Sequence, residues 1–344
     1  MNISSLSKYA LGTVAAAGLL AGCSGAQTGG LGNGAGVTPS AQARSLAERT
    51  STATTVHVGM ARVNLSPSKF LSPDKKSKKG YVYINDSSDE SVDVYAFAKG
   101  KIGKEVGSTT SGISEPQGAC SNGKKNVAVS NTGLSETLIF VAPKTTSSGS
   151  VSSSGYYPVG CAYDSKGDLA VSNIESTSGG NGNIQVFKGA AGSPSTLTCP
   201  NVARYFFLSY DKAGDIYADG ENSSGYFAMC VVPAGDSTGE AVSLSSSPGF
   251  PGGVQVVGNT VNVTDQDSPV IDQYSFSGTT GTLTGTISLG GDVSDANGTW
   301  ISGKYLVASS YGTGTVYSYK YPAGGTPLST VTGFATPQGV AIAK

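Results

Sequence analysis

Short, largely apolar runs recur along the chain from Tyr81 onward. Each run carries apolar residues, many of them valine or tyrosine, and ends at a small or acidic polar residue, which is the pattern of a short β-strand. The runs begin 42 to 47 residues apart, so the pattern predicts six structural units of one size. The runs are Tyr81-Val-Tyr-Ile-Asn-Asp86, Asn126-Val-Ala-Val-Ser-Asn131, Asp168-Leu-Ala-Val-Ser-Asn173, Asp215-Ile-Tyr-Ala-Asp219, Thr260-Val-Asn-Val-Thr-Asp265 and Lys304-Tyr-Leu-Val-Ala-Ser309.

Each run is flanked by two further recurring pieces. A third strand follows it, as in Val92-Asp-Val-Tyr95, and turns rich in Gly, Pro and Ser lead to a weaker fourth strand. Four short antiparallel strands in about 44 residues is the size of one β-propeller blade. The piece before the run begins with proline and glycine in four units: Pro116-Gln-Gly118, Pro158-Val-Gly160, Pro251-Gly-Gly253 and Pro337-Gln-Gly339.

The two ends of the repeat are complementary. The chain finishes on Pro337 to Ala343, an inner strand without its own blade, whereas the repeat starts at Tyr81 with a second strand that lacks an inner one. Joined, they complete a blade and remove the exposed sheet edges of an open array. The sequence therefore predicts an all-β fold, a six-bladed β-propeller over residues 80–344 in which the C-terminal strand closes the first blade.

Blade four departs from the repeat, because Tyr205 and Phe207 stand where Pro and Gly stand elsewhere. We expect a bulky ring there to intrude on the central channel. The aromatic residues near the starts of inner strands either form an apolar, sugar-stacking rim or fill the spaces between blades. They are Tyr156, Tyr157, Tyr205, Phe206 and Phe250.

The N-terminal segment has the features of an export signal. Lys8 precedes an apolar stretch from Tyr9 to Leu20, which is too short for the roughly 20 residues that span a bilayer. Leu20 to Cys23 resembles the lipobox of bacterial lipoproteins, in which the cysteine receives a diacylglyceryl group and, after cleavage, an acylated amine. The resemblance implies a signal peptide over residues 1–22, a palmitate-type lipid on Cys23 and attachment to the membrane.

Residues 23–79 are predicted to be the lipidated cysteine, a flexible tether and an irregular lead-in, because Gly, Ser, Ala and Thr dominate the segment after Cys23. Ser24 is not the usual inner-membrane retention residue of Gram-negative lipoproteins, so the expected location is the cell envelope, with the outer membrane favoured. A basic run from Lys75 to Lys79 is either a solvated linker or a contact for lipid headgroups.

Composition removes several classes of function. Charged residues are 13% of the chain and the net charge is -1, which gives no electrostatic signal for nucleic acid. The only histidine, His57, precedes the repeat, so the repeat region cannot contain a Ser-His-Asp triad. The other cysteines lack the short paired spacing of zinc sites. Cys120, Cys161, Cys199 and Cys230 allow three disulfide pairings or stay as buried thiols.

The repeat carries a turn motif that points to a family. Asp164-Ser-Lys-Gly-Asp-Leu-Ala-Val171 and Asp211 to Asp215 follow the pattern Asp-x-x-Gly-Asp followed by a strand. By this pattern residues 80–344 resemble the NHL-repeat propellers and their six-bladed relatives in the gluconolactonase group. The chain is also similar to a family of uncharacterised bacterial lipoproteins. The gluconolactonase-like enzymes hold a divalent metal with acid and amide ligands, but their ligands do not match this chain one by one.

Acids and amides follow the second strands on the expected ligand face. We expect a ring of Asp86, Asn131, Asn173, Asp219, Asp265 and Ser309, and in blades three to five a second acid stands two residues on: Glu175, Glu221 and Asp267. Oxygen ligands of this kind suit Ca²⁺ or Mg²⁺. The six candidate metal or ligand residues are Asn173, Glu175, Asp219, Glu221, Asp265 and Asp267, and the alternative is that such residues bond the backbone of their own turns.

These features favour a binding or protein-interaction module on the cell envelope, with an envelope protein or a glycan as partner, since no complete catalytic set is visible. The alternative is a divalent-metal-dependent lactonase-like or lyase-like enzyme that uses the acidic ring. The sequence does not decide the enzyme question and leans against it.

Overall fold

The computed structural model describes residues 80–344, and all 25 strands lie within this range. They form six small antiparallel sheets arranged as the blades of a six-bladed β-propeller, which confirms the predicted fold class. The strands are numbered along the chain, and the blades follow the order of their second strands. No helix of the described residues is long and apolar enough to cross a membrane. The predicted signal peptide, Cys23 and the segment up to residue 79 lie outside the described residues.

The inner and second strands of each blade come from the repeat described above. The inner strands, for blades one to six, are β25 (Pro337–Ala343), β4 (Pro116–Ser121), β8 (Tyr156–Tyr163), β12 (Arg204–Tyr210), β17 (Pro251–Val257) and β21 (Ala296–Ser302). The second strands are β1 (Gly80–Asp86), β5 (Asn126–Asn131), β9 (Leu169–Ser176), β13 (Ile216–Glu221), β18 (Thr260–Asp265) and β22 (Tyr305–Ser310).

The third and outer strands complete the blades. The third strands are β2 (Ser91–Ala98), β6 (Glu136–Val141), β10 (Asn181–Phe187), β14 (Phe227–Val232), β19 (Val270–Ser277) and β23 (Thr315–Lys320). The outer strands are β3 (Lys101–Thr109), β7 (Ser147–Ser152), β11 (Ser195–Leu197), β15 (Glu240–Ala241), β20 (Thr280–Ser288) and β24 (Gly324–Thr332), and β16 (Ser243–Leu244) adds a short parallel strand beside β20.

Blade one is closed by the C-terminal strand, as the phase of the repeat predicts. β25 pairs antiparallel with β1, with Tyr81 opposite Ala343 and Ile84 opposite Val340. Both strands are almost wholly buried. The pairing joins the first and last described parts of the chain, so β1 is not left as an unpaired edge strand.

Every inner strand contains a β-bulge at the same place. In blade two, Pro116 is opposite Asn131 and Ala119 is opposite Val129, so an extra residue is accommodated between them. The other inner strands shift register at the equivalent step. The glycine in the bulge lets neighbouring blades approach, because a Cβ on Gly118 would lie 2.2 Å from the carbonyl oxygen of Val159 in the next blade.

Apolar residues pack between neighbouring blades. One cluster joins blades three and four through residues such as Ile184, Tyr205 and Leu208. Trp300, on the inner strand of blade six, packs against the clusters of blades one to three. A bulky ring thus does reach across the propeller axis, but it comes from blade six. Tyr205 of blade four, which we expected to intrude, is buried in the core between blades.

Two disulfides lie within blades two to four. Cys120 and Cys161 join the inner strands of blades two and three, and Cys199 and Cys230 join the connection after blade three to the third strand of blade four. The sequence left three pairings and free thiols open, and the structure selects this one pairing. The first disulfide therefore links two neighbouring blades, and the second fastens the connection that enters blade four to that blade.

Candidate functional site

The two faces of the propeller are built from different loops. The upper face carries the turns between second and third strands and the connections that enter the inner strands. The lower face carries the turns between inner and second strands and those between third and outer strands. The acids and amides that follow the second strands therefore lie at the upper face. Two positions at the end of each second strand matter there. The end position is the residue that pairs with the start of the inner strand, and the wall position is the residue before it in the sequence.

Side chains at the end position accept hydrogen bonds from the backbone of the connection that enters the inner strand. Asp86 accepts hydrogen bonds from the backbone N–H groups of Ala335 (2.6 Å) and Thr336 (3.0 Å), and Asn131 accepts one from Ser114 (2.7 Å). In the same way, the backbone N–H of Phe250 donates to the side chain of Asp265, and that of Ser294 donates to the side chain of Ser310. End-position residues are Asp86, Asn131, Asn173, Gly220, Asp265 and Ser310. Four of these six side chains thus serve the backbone of the loops.

The expected single ring is corrected by the strand register. Asp219 and Ser309 stand at the wall position, because Gly220 and Ser310 are the residues opposite the first pairs of their inner strands. Because the side chains of successive strand residues point to opposite sides of the sheet, these two side chains do not point the same way as the end-position side chains. The six predicted residues consequently belong to two separate sets. Wall-position residues are Asn85, Ser130, Ser172, Asp219, Thr264 and Ser309.

Wall-position side chains connect neighbouring blades. Asn85 donates from Nδ2 to the carbonyl oxygen of Gln117 (2.9 Å), Ser172 donates to that of Phe206 (2.7 Å), and Ser309 donates to that of Gln338 (2.9 Å). In each pair the acceptor lies on the inner strand of the next blade. In blades one, three and six, the wall-position side chain is therefore hydrogen-bonded to the inner strand of the next blade.

Asp219 is the only carboxylate among the wall-position residues. It is fully buried, and its Oδ1 accepts the backbone N–H of Phe207 at 2.8 Å. Its Oδ2 has no hydrogen-bond partner among the described residues. Burial raises the pKa of Asp219 well above its ordinary range, although the N–H groups of Phe207 and Gly252 lower it in part. Burial thus favours the neutral form of this side chain.

Glu175 and Glu221 share an arginine that the sequence analysis overlooked. Nη1 of Arg204 lies 3.3 Å from Oε2 of Glu221, whose side chain is buried while that of Arg204 is 40% exposed. Burial raises the pKa of both glutamates, and the charge of Arg204 lowers it. A guanidinium thus supplies the positive charge that we expected from a metal. Arg204 was detectable in the sequence, since it pairs with Glu221 in the predicted hairpin.

The remaining candidates lie in other surroundings. Asn173 is buried and donates to Oδ1 of Asn183 at 2.7 Å. Asp265 accepts the backbone N–H of Asp267 at 3.0 Å, and burial, followed by the charges of Asp265 and Asp295, raises the pKa of Asp267. Within residues 80–344, no group of three or more His, Cys, Asp or Glu side chains is arranged to hold a metal ion. The geometry supports the turn-bonding alternative for Asp265.

The candidate aromatic rim is mostly interior. Tyr205, Phe206 and Phe250 are buried, and the rings of Phe206 and Phe250 meet edge to face with centroids 5.5 Å apart. Tyr156 and Tyr157 are half-buried. These contacts fit the role of spacers between blades.

A groove on the upper face of blade four was not predicted. Its volume is about 410 Å³, which lies within the usual range for small-molecule sites, about 300–1,000 Å³. Phe227 and Leu244 contribute apolar surface, and no charged side chain lines it. The polar lining is Asn181, Asn201, Asn222, Ser223, Ser224 and Ser247. These residues come from distant parts of the chain, so no local motif indicates the groove.

Comparison with known proteins finds similarity in structure only. No known protein family and no curated protein matches the sequence. A chain in the crystal structure of a nidogen/laminin complex has a TM-score of 0.63 at 12% identity, covering 77% of this chain and 98% of that one. A Bacteroides caccae protein of unknown function has a TM-score of 0.58 at 10% identity, with 77% and 99% covered.

A functionally unknown protein from Desulfotomaculum acetoxidans has a TM-score of 0.52 at 10% identity, with 77% of this chain and 99% of that chain covered. The likeness shows the fold alone.

Asp219→Asn should stabilise the protein at alkaline pH. The raised pKa means that the folded chain binds a proton more tightly than the unfolded chain, so the parent loses stability as pH rises from about 4 to the folded pKa. Asparagine has nearly the same shape without a charge, and its Oδ1 can accept the backbone N–H of Phe207. Asn85 occupies the same position in blade one, where its Nδ2 donates to the carbonyl oxygens of Gln117 and Gly118. We expect a gain of about 1 kcal/mol or more at pH 8 that shrinks at pH 4.5.

The measurement is denaturant unfolding followed by the fluorescence of Trp300, the only tryptophan. Asp236→Asn, at an exposed acid of the lower face, is the control and should leave stability nearly unchanged at both pH values. Lower stability of Asp219→Asn at pH 8, or a Ca²⁺-dependent stabilisation that only the parent shows, would contradict the protonated carboxyl and restore the metal hypothesis.

Proposed function

We propose that this protein is a lipid-anchored β-propeller of the bacterial cell envelope that binds a neutral, hydroxyl-rich ligand, such as an envelope glycan, on its upper face. The anchor is Cys23, and residues 24–79 supply the flexible tether and the irregular lead-in to the propeller. The groove on blade four is the binding site. The observation that carries the binding role is this groove of about 410 Å³, uncharged and lined by amide and hydroxyl groups on a rigid frame.

The chemistry of the lining favours a saccharide. Asparagine side chains both donate and accept hydrogen bonds, and serine hydroxyls do the same, so together they match the hydroxyl groups of a sugar ring. Tyr226 is 55% exposed and lies in the sequence between Ser224 and Phe227, two residues of the lining. An exposed aromatic ring beside the groove can stack on a sugar ring. A charged ligand would find no partner in the lining itself.

The disulfides support an exported location. Cys120–Cys161 and Cys199–Cys230 would persist in an oxidising compartment and are uncommon in the cytosol. This agrees with the lipobox at Leu20 to Cys23. The outer membrane is the favoured address in a Gram-negative cell because Ser24 follows the cysteine.

The NHL-like subtype is supported by the geometry of its signature turn. Asp164 accepts the backbone N–H groups of Lys166 and Asp168, both at 2.8 Å, and Asp168 in turn accepts that of Gly189. Asp211 and Asp215 repeat this arrangement in blade four. A propeller of similar shape also occurs in a nidogen/laminin complex, which fits a fold that offers a face to a partner.

Cys23→Ala should abolish lipidation. Without the sulfur there is no site for the diacylglyceryl group, so the protein should stay as a precursor or be released from the membrane fraction. The measurement is incorporation of radioactive palmitate in a bacterial host. Cys199→Ala, at a cysteine placed in a disulfide, is the control and should keep the label. Equal labelling of the Cys23→Ala protein would contradict the anchor.

Ser223→Trp should block ligand binding at the groove. The exposed serine lines the groove, and an indole there would occupy its volume. Binding is measured on an array of neutral and charged envelope glycans, and we expect at least a tenfold loss of the parent's binding. Ser154→Trp, at an exposed serine on the upper face that does not line the groove, is the control. Absence of binding by the parent, or equal binding by both variants, would contradict the proposed site.

A further inference from the structure

The lysines of the propeller are concentrated on part of the lower face. The lower turns and strand ends of blades six, one and two carry eight lysines, all exposed, and no acid. We call this surface the basic sector. It comprises Lys99, Lys101, Lys124, Lys125, Lys144, Lys304, Lys320 and Lys344.

Backbone contacts hold the lysine-bearing turns of the basic sector side by side. The N–H of Lys344 donates to the carbonyl oxygen of Lys124 at 2.6 Å, which joins blades one and two. The N–H of Ala142 donates to the carbonyl oxygen of Lys125 at 2.8 Å. These lysines therefore form one surface rather than scattered charges.

The rest of the molecule has the opposite balance. In blades three and four, the lower turns carry Lys166, Lys188 and Lys212 beside five aspartates, Asp164, Asp168, Asp211, Asp215 and Asp236. On the upper face only Arg204 is basic. The upper-face acids are Asp86, Asp89, Glu90, Glu115, Glu136, Glu175, Glu221, Asp265, Asp267, Asp292 and Asp295. The net charge of -1 conceals this separation.

The chain enters the propeller at the basic sector. Gly80 begins β1 at its lower end. It is paired with Phe97 and lies next to Ala343, the residue before Lys344. Lys75, Lys76, Lys78 and Lys79 come directly before it in the sequence. Any tether that leads to Cys23 therefore leaves from the middle of the three lysine-rich blades.

We propose that the basic sector lies against an anionic lipid bilayer, so that the acidic upper face with the groove points away from the membrane. The location at a membrane rests on the lipid anchor of the proposed function, whereas the affinity for anionic lipid rests on the lysines alone. Clustered basic residues bind anionic headgroups electrostatically over about one Debye length, ~8 Å at physiological salt. Eight exposed lysines on one surface meet that requirement.

The test uses the unlipidated chain from Ser24 to Lys344, which contains every described strand and therefore the complete ring. Sedimentation is measured with vesicles of phosphatidylcholine alone and with 30% phosphatidylglycerol. We expect binding only to the second kind and its loss in 0.5 M NaCl. Lys101→Gln, Lys125→Gln and Lys320→Gln should each weaken binding about fivefold, the factor that corresponds to ~1 kcal/mol per basic residue.

The matched control changes the net charge equally but on the upper face. Ser111→Glu, Ser154→Glu and Ser178→Glu, all at exposed serines outside the groove, together lower the charge by three, as the three lysine changes do when combined, and should leave vesicle binding within about twofold. Equal loss in both triple variants, binding to neutral vesicles, or tighter binding to duplex DNA than to anionic vesicles would overturn the proposal. Because no lipid is attached, failure here leaves the anchor untouched, and failure of palmitate labelling leaves this result untouched.

Discussion

Six inner strands must meet around one axis, and the rest of the structure depends on that constraint. Glycines in the bulges allow neighbouring backbones to approach, while wall-position side chains such as Asn85 and Ser309 bridge to the next inner strand. β25 then closes the ring on β1. With this pairing blade one has four strands in the same order as its neighbours, so all six blades have equivalent turns on each face.

Closure of the ring also determines on which face each turn and its charged side chains lie. Once the blades are in phase, every turn between second and third strands lies on the upper face, and every turn between inner and second strands lies on the lower face. Charges that are scattered along the sequence become separated, with eight lysines and no acid in the lower turns and strand ends of blades six, one and two, and eleven acids on the upper face. The separation gives the propeller an orientation relative to the membrane to which we propose it is attached.

The fold was predictable because strand patterns, Pro-x-Gly pieces and complementary ends are local or periodic signals. The site was less predictable. A one-residue register difference moves Asp219 from the end position to the wall position, and a repeat alignment alone does not detect it. Arg204 could have been found from hairpin pairing with Glu221. The groove and the disulfide pairing could not, since they depend on how separate blades pack in space.

The net charge does not describe how charge is distributed over the propeller. A net value near zero argued against any polyanionic surface as partner, yet the repeat phase already placed Lys101, Lys125 and Lys320 in lower turns or at lower strand ends. Mapping charge onto the repeat, rather than summing it, would have indicated the basic sector. Net charge describes a molecule well only when its charges are mixed over the surface.

Hydrogen–deuterium exchange of the unlipidated chain, with and without vesicles containing phosphatidylglycerol, tests the central claim most directly, because it reports on each turn separately. The account predicts slower exchange on vesicles at residues 99–101, 122–125 and 320–323, in the basic sector. It predicts unchanged exchange at residues 87–90 and 222–226, in the upper turns. Protection of the upper turns, or equal protection of both faces, would contradict a propeller oriented by its separated charges.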